Sequence, residues 1–221
     1  MSLSTENNII IYAVGDINLG VKSFQQQAIT NEYFPFQHIK AELNNGADII
    51  FGNLESPITS EESLKVKSRG VPSLKASPDF IKGLVNTGFN ILNLANNHIN
   101  DCGVIGLNDT IGILNKYGIH CIGVGKNLEN SRKPVIFNIK GKQLGFLGYT
   151  YANRAKVDQA GCAPIEKQII LDDIRKLKTL SDVIVISLHE GIEHIDYPNP
   201  FSRNLCRQLI DAGASIILRH H

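Results

Sequence analysis

No run of five basic residues occurs in this chain of 221 residues, and its formal net charge is only +1. That excludes the electrostatic footprint expected of a nucleic-acid partner or an anionic membrane surface. There is no apolar stretch long enough to span a bilayer, because the run after the polar start reaches only from Ile9 to Val14. No cleavable leader, internal repeat or low-complexity segment is visible. The cysteines Cys102, Cys121, Cys162 and Cys206 form no CxxC. A chain of this size buries a core without a disulfide framework, so all four read as core thiols. GxSxG and Walker motifs are missing, as is a Gly-rich dinucleotide loop, which removes three common enzyme classes. Gly123-Val124-Gly125 is too short to cradle a phosphate.

What remains is a pattern of strands and helices. Short β-branched runs predict strands at 8–14, 48–51, 90–94, 119–122, 183–188 and 215–218. Most are almost continuously apolar, as strands of a parallel sheet buried on both faces must be. Helical spacing predicts helices at 36–44, 78–87, 104–117, 165–179 and 200–212. The second has Ser77 as N-cap, Pro78 in its first turn and Gly88 as its stop. In the fourth, Leu171, Ile174 and Leu177 share a face. Residues 134–150 read instead as a hairpin turning at Lys140-Gly141-Lys142. The alternation predicts an α/β domain of βαβ units spanning 1–221, with a long polar loop at 59–73.

Open α/β sheets place ligands outside the carboxyl ends of their strands. Five predicted strand ends are followed by polar groups: Gly15-Asp16-Ile17-Asn18, Gly52-Asn53-Leu54-Glu55, Ala95-Asn96-Asn97-His98, His189-Glu190-Gly191-Ile192-Glu193 and Arg219-His220-His221. Mixed carboxylate, amide and imidazole donors suit divalent Zn, Mn or Fe, often as a pair that clamps a phosphate or activates water. Taken singly, each residue has a plainer role. Asp16 fits a turn, Glu55 a solvent-facing position, His98 a helix cap and His189 a buried hydrogen-bonded histidine. Together, at successive strand ends, they predict one shared site.

The same residues resemble the CapA family of bacterial capsule and poly-γ-glutamate biosynthesis proteins. The likeness runs through Gly15-Asp16, Asn53-Leu54-Glu55-Ser56-Pro57 and Leu94-Ala95-Asn96-Asn97-His98 with Asp101 and Gly103. It continues through Phe146-Leu147-Gly148-Tyr149-Thr150 and Leu188-His189-Glu190-Gly191-Ile192-Glu193. That family is similar to a branch of the calcineurin-like metallophosphoesterases. The resemblance implies a metallophosphatase-like αββα sandwich, with two mixed sheets between helices. It implies Asp16, Asn97, His189 and His220 as ligands of two divalent metals, with Glu55 in the bridging position. It casts His98 as the acid or the group steadying the phosphate, oriented by Asp101. Asn18, Asn53 and Glu193 fall to the substrate side.

Three departures weaken the ligand set. Asn18 stands where many metallophosphoesterases have histidine, Arg219 where the family's Gly-His-His-Pro-His motif has glycine, and the chain stops at His221. His220 and His221 are either the motif's first histidines or the start of a polyhistidine tag, and Met1-Ser2-Leu3 reads as an expression leader. The resemblance therefore implies an N-terminal portion of a longer protein, whose incomplete centre retains metal weakly or not at all. The expected function is a metal-dependent, phosphoesterase-like hydrolase in capsule or poly-γ-glutamate synthesis. It would act on a small-molecule or polymer substrate, alongside other capsule-synthesis subunits. The rival readings are a non-catalytic accessory subunit of a polymer synthesis or export complex, and a nucleotide phosphodiesterase. Family members are often anchored outside the cytoplasmic membrane, but no anchor is visible here, so the compartment stays open.

Overall fold

The structure, a computed structural model, describes residues 8–21, 26, 31, 33–62 and 73–221. The leader reading and most of the 59–73 loop fall outside these residues. Strands β1 (Ile11–Ile17), β2 (Ile49–Leu54), β3 (Ile91–Asn93) and β4 (His120–Ile122) form one sheet, paired in that order and all parallel. A small antiparallel pair joins β5 (Val124–Gly125) to β8 (Gly161–Cys162). The second sheet contains β6 (Val135–Ile139), β7 (Lys142–Thr150), β9 (Val183–His189) and β10 (Ile216–His220), in the order β10-β9-β7-β6. It is mixed, because β6 and β7 are antiparallel while the other pairs are parallel. The β6–β7 turn is the expected hairpin. Lys140 and Gly141 both have positive φ, 51° and 79°, as a two-residue turn matched to strand twist demands.

Helices α1 (Lys40–Leu43), α2 (Ile81–Thr87), α3 (Gly103–Lys116), α4 (Leu128–Ser131), α5 (Lys167–Leu177) and α6 (Pro200–Ala212) complete the domain. The helix expected over 36–44 shrinks to the single turn of α1. No side chain caps it, and the residues before it form successive turns. Helix α2 starts as a 3-10 turn at Pro78–Phe80, capped by Ser77 as expected, and stops at Gly88 with φ 90°.

Period-two alternation sorts the strands into faces. Ile49, Phe51, Ile91 and Ile122 meet Leu144, Phe146 and Val185 between the two sheets. Ile50, Leu54 and Leu92 face outward onto Leu84, Leu107 and Leu114. Leu147, Tyr149, Ile184, Ile186 and Leu188 face the other way, onto Ile170, Ile174, Leu177, Leu205 and Leu209. Three apolar interfaces separate four layers, which is the expected αββα sandwich. Phe51 stacks on Phe146 at 6.3 Å between centroids, and both are fully buried. Each such side chain contributes about 1.5–3 kcal/mol by leaving water.

All four cysteines are free thiols. Cys102 and Cys162 are buried, whereas Cys121 and Cys206 are half-buried against the apolar clusters. Burial pushes the Cys162 thiol up to about 12, so it stays protonated. Among the described residues no helix is long and apolar enough to cross a membrane.

Candidate metal centre

The site lies where the carboxyl ends of both sheets meet. Asp16 reaches it through a bulge. Ala13 pairs with Phe51 and Asp16 with Asn53, so β1 advances three residues while β2 advances two. The extra residue resets the alternation. Val14 and Ile17 both pack into the outer cluster, and the Asp16 carboxylate faces inward. Without the bulge Asp16 would face the helices. His189 and His220 are the last residues of β9 and β10 and pair with each other in register. Glu55 follows β2 directly, whereas Asn97 and His98 sit in a loop after β3.

A buried amide relay sets the middle of the site. The Ala95 N–H donates to Asn93 Oδ1 at 3.2 Å, and Asn93 Nδ2 donates to Asn53 Oδ1 at 2.7 Å. Asn53 Nδ2 then donates to Asp16 Oδ1 at 2.6 Å and lies 3.0 Å from His189 Nδ1. Both ends agree on the amide orientation, since a backbone N–H can only donate and a carboxylate only accept. Glycines make room for this relay: a Cβ on Gly148 or Gly123 would crowd Asn93 Oδ1. Across the site, His189 Nε2 lies 2.8 Å from Asn97 Oδ1 and 3.6 Å from Glu55 Oε1. Glu55 thus sits on the Asn97 side, while the Asn53 amide is the group that reaches both Asp16 and His189.

His98 and Asp101 lie in contact. His98 Nδ1 lies 2.8 Å from Asp101 Oδ2, and both residues are buried. The same carboxylate oxygen accepts the Leu74 N–H at 2.7 Å. Asn96 shapes the loop by accepting the N–H groups of His98 and Ile99 and donating to Leu54 O.

The remaining candidates lie further out. Asn18 Oδ1 accepts the Gly20 N–H at 3.1 Å, folding back on its own turn. Glu193 is exposed, with Oε1 3.8 Å from His221 Nε2. A cavity of about 320 Å³ opens beside Asp16, His220 and His221 and is walled by residues 190–192 and 195–199, without Glu193. At its base Glu190 is buried and fully partnered by Arg219 and Ser202. Two residues of the site carry no signal in the sequence: Asn93, which reads as strand interior, and Asn153, whose Nδ2 donates to the backbone carbonyls of Asn96 and Asn97. In the sequence His221 reads only as motif or tag. Here its backbone N–H donates to Asp16 Oδ2 at 3.1 Å and its ring lies 4.8 Å from that of His189.

The donor set fits divalent cations. Ligand atoms of Glu55, His189 and His221 lie within 4.8 Å of one another, with Asn97 Oδ1 alongside. On the other side, His220 Nδ1 is 3.7 Å from Asp16 Oδ1. Both ring nitrogens of His220 are buried and have no hydrogen-bond partner among the described residues, a costly arrangement unless another species binds there. Burial pushes His189 down to about 3, with neighbouring histidines adding to the effect and Asp16 opposing it. Burial also lowers His220, again against Asp16. Both imidazoles therefore stay neutral at ordinary pH, the form that coordinates metal.

The model of the bacterial capsule synthesis protein family PGA_cap matches residues 10–221. The chain belongs to that family. Its match includes both terminal histidines. This PGA_cap chain is 31% identical over 215 residues to the PGA biosynthesis protein CapA of Bacillus subtilis, covering 94% of the chain and 56% of the relative. It is 32% identical over 220 residues to the capsule biosynthesis protein CapA of Bacillus anthracis, covering 94% and 53%. The chain thus spans about half the length of the curated relatives it matches. A Mycobacterium tuberculosis protein described as a probable polyglutamine synthesis accessory protein is 26% identical over 203 residues, covering 85% and 53%. Among solved structures, one described as a 5′-nucleotidase of Staphylococcus aureus in complex with α-ketoglutarate superposes with a TM-score of 0.58. It covers 96% of this chain and 44% of that one at 14% identity, so the likeness concerns the fold alone.

Proposed function

We propose that this domain houses a divalent-metal, phosphoesterase-like hydrolase centre serving the synthesis of a capsule polymer such as poly-γ-glutamate. The observation that carries the reading is His220, buried at the carboxyl end of its sheet beside Asp16, with neither ring nitrogen hydrogen-bonded among the described residues. Asp16 and His220 would hold a cation on one side, and Glu55, Asn97, His189 and His221 on the other. A divalent ion bound there supplies Lewis acidity and a water acidic enough to act as nucleophile near neutral pH. Asp101 accepts the Nδ1 proton of His98 and so orients the ring, whose Nε2 would give or take a proton at the departing oxygen. The cavity walled by residues 190–192 and 195–199 would receive the unreacted part of the substrate.

The test is cleavage of bis(p-nitrophenyl) phosphate by the chain stripped with chelator and reloaded with Mn²⁺. His98→Ala should lower kcat on the order of 10²-fold. Turnover that survives chelation, or equal rates in the variant, would sink the reading.

A second reading, a non-catalytic accessory subunit of a synthesis or export complex, draws support from two observations. Asn18 is turned onto its own loop, and an amide, Asn53, stands between Asp16 and His189 where a carboxylate would attract cations more strongly. Elemental analysis of protein purified without chelator separates the two. Stoichiometric Mn, Zn or Fe favours the hydrolase, and metal near zero favours the accessory role.

A further inference from the structure

Asn97 sits in a loop, yet its Oδ1 must meet His189, which comes from the other sheet. The loop is held from within by Asn96, whose Oδ1 accepts the N–H groups of His98 and Ile99 at 3.1 and 2.8 Å. From outside it is held by Asn153. Asn153 Nδ2 donates to Asn96 O at 3.1 Å and to Asn97 O at 3.2 Å. Those carbonyls belong to the two peptide planes flanking Asn97. With both planes gripped, the backbone torsions of Asn97 have little freedom, and its side chain is aimed at His189.

Asn153 is itself anchored to the second sheet. It follows β7 by three residues, and Thr150, the last residue of β7, pairs in register with His189. Its carbonyl accepts the Cys162 N–H at 2.8 Å, and the Ala155 N–H donates back to Cys162 O at 2.8 Å. A Cβ at Gly161 would overlap the Asn153 carbonyl, so that close approach requires glycine. Ala163 is tied to both Gly123 and Thr150 by backbone hydrogen bonds. The turn that carries Asn153 therefore spans from the His189 sheet to the Asn97 loop.

The residue type is demanding. Asn153 has φ 50°, a left-handed conformation that asparagine tolerates better than most side chains. Glycine would accept the backbone but has no amide. Aspartate would accept it too, but presents acceptor oxygens to two carbonyls. Asparagine alone among the three supplies two N–H groups at that distance.

We propose that Asn153 is a positioning residue for the centre: by gripping the peptides on either side of Asn97 it sets the Asn97–His189 pairing and the placement of His98. Its consequence for metal rests on the hydrolase reading, whereas the loop geometry stands apart from it. Asn153→Gly and Asn153→Asp test it, the glycine variant keeping the backbone conformation so that folding is preserved. Hydrogen exchange at the His98 and Ile99 amides should quicken by about 10-fold or more in both variants, more in the aspartate. Mn²⁺ affinity of the stripped chain, read by calorimetry, should fall on the order of 10-fold. For turnover of bis(p-nitrophenyl) phosphate, kcat should fall by a similar factor while KM stays within about 2-fold. Exchange rates unchanged from the parent overturn the proposal, as does faster exchange with undiminished Mn²⁺ affinity. A parent chain that takes up no Mn²⁺ defeats the hydrolase reading alone, and the exchange rates then decide whether Asn153 positions the loop.

Discussion

Outside the second sheet, Arg132 donates to both oxygens of Asp173 at 2.9 and 2.7 Å, and the Tyr149 hydroxyl donates to the same carboxylate at 3.0 Å. The hydrogen bonds to Asp173 raise the Arg132 guanidinium further, and burial beside that carboxylate raises Tyr149 well above its ordinary value. Each of the three groups is thus satisfied by the others. At the carboxyl ends of the strands the histidines are arranged differently. Among the described residues His220 has no hydrogen-bond partner at either nitrogen, and burial drives His189 toward the neutral form despite Asp16 beside it. The first cluster is closed, its polar groups spent on one another. The second is incomplete in its own terms, which is what a ligand site looks like before its ligand is counted.

Substitutions should separate the two clusters cleanly. Asp173→Ala strands a buried guanidinium and a hydroxyl, so it should cost about 3 kcal/mol in urea unfolding while leaving Mn²⁺ affinity alone. His189→Ala should do the reverse in binding: Mn²⁺ affinity falls on the order of 10²-fold, more than for any supporting residue. Tyr149→Phe removes one hydrogen bond but leaves Asp173 paired with Arg132, for a loss of about 1 kcal/mol. The smallest effect belongs to His220→Phe in chelator. Its ring stacks on Phe51 at 5.9 Å, and the replacement keeps that contact while deleting two unpartnered nitrogens. Its stability should stay within about 1 kcal/mol of the parent, or rise. A large loss there would make His220 structural and erase the contrast.

Much of this was legible in the sequence because periodicity reports burial. The apolar runs became strands of two sheets, the Lys140-Gly141 turn became a hairpin, and polar residues at strand ends converged. Less legible was anything set by register or by tertiary room. Nothing in Val14-Gly15-Asp16 announces a bulge, yet the bulge alone turns Asp16 inward. Asn93 reads as strand interior, since its role depends on space left by glycines 123 and 148, remote in the chain. Asn153 lies in a segment without regular periodicity, and its two acceptors are 56 and 57 residues away. Position 36–44 failed for the opposite reason: helical spacing was present, but no capping side chain held the first turns.

In the proposed reading the strand-end cluster is a ligand site for divalent metal. The deciding measurement is calorimetric titration of the chelator-stripped chain with Mn²⁺, with His189→Ala and Asp173→Ala run beside it. Saturable binding is expected in the parent and in Asp173→Ala, with affinity on the order of 10²-fold lower in His189→Ala. No binding in the parent, or equal binding in His189→Ala, would contradict that reading.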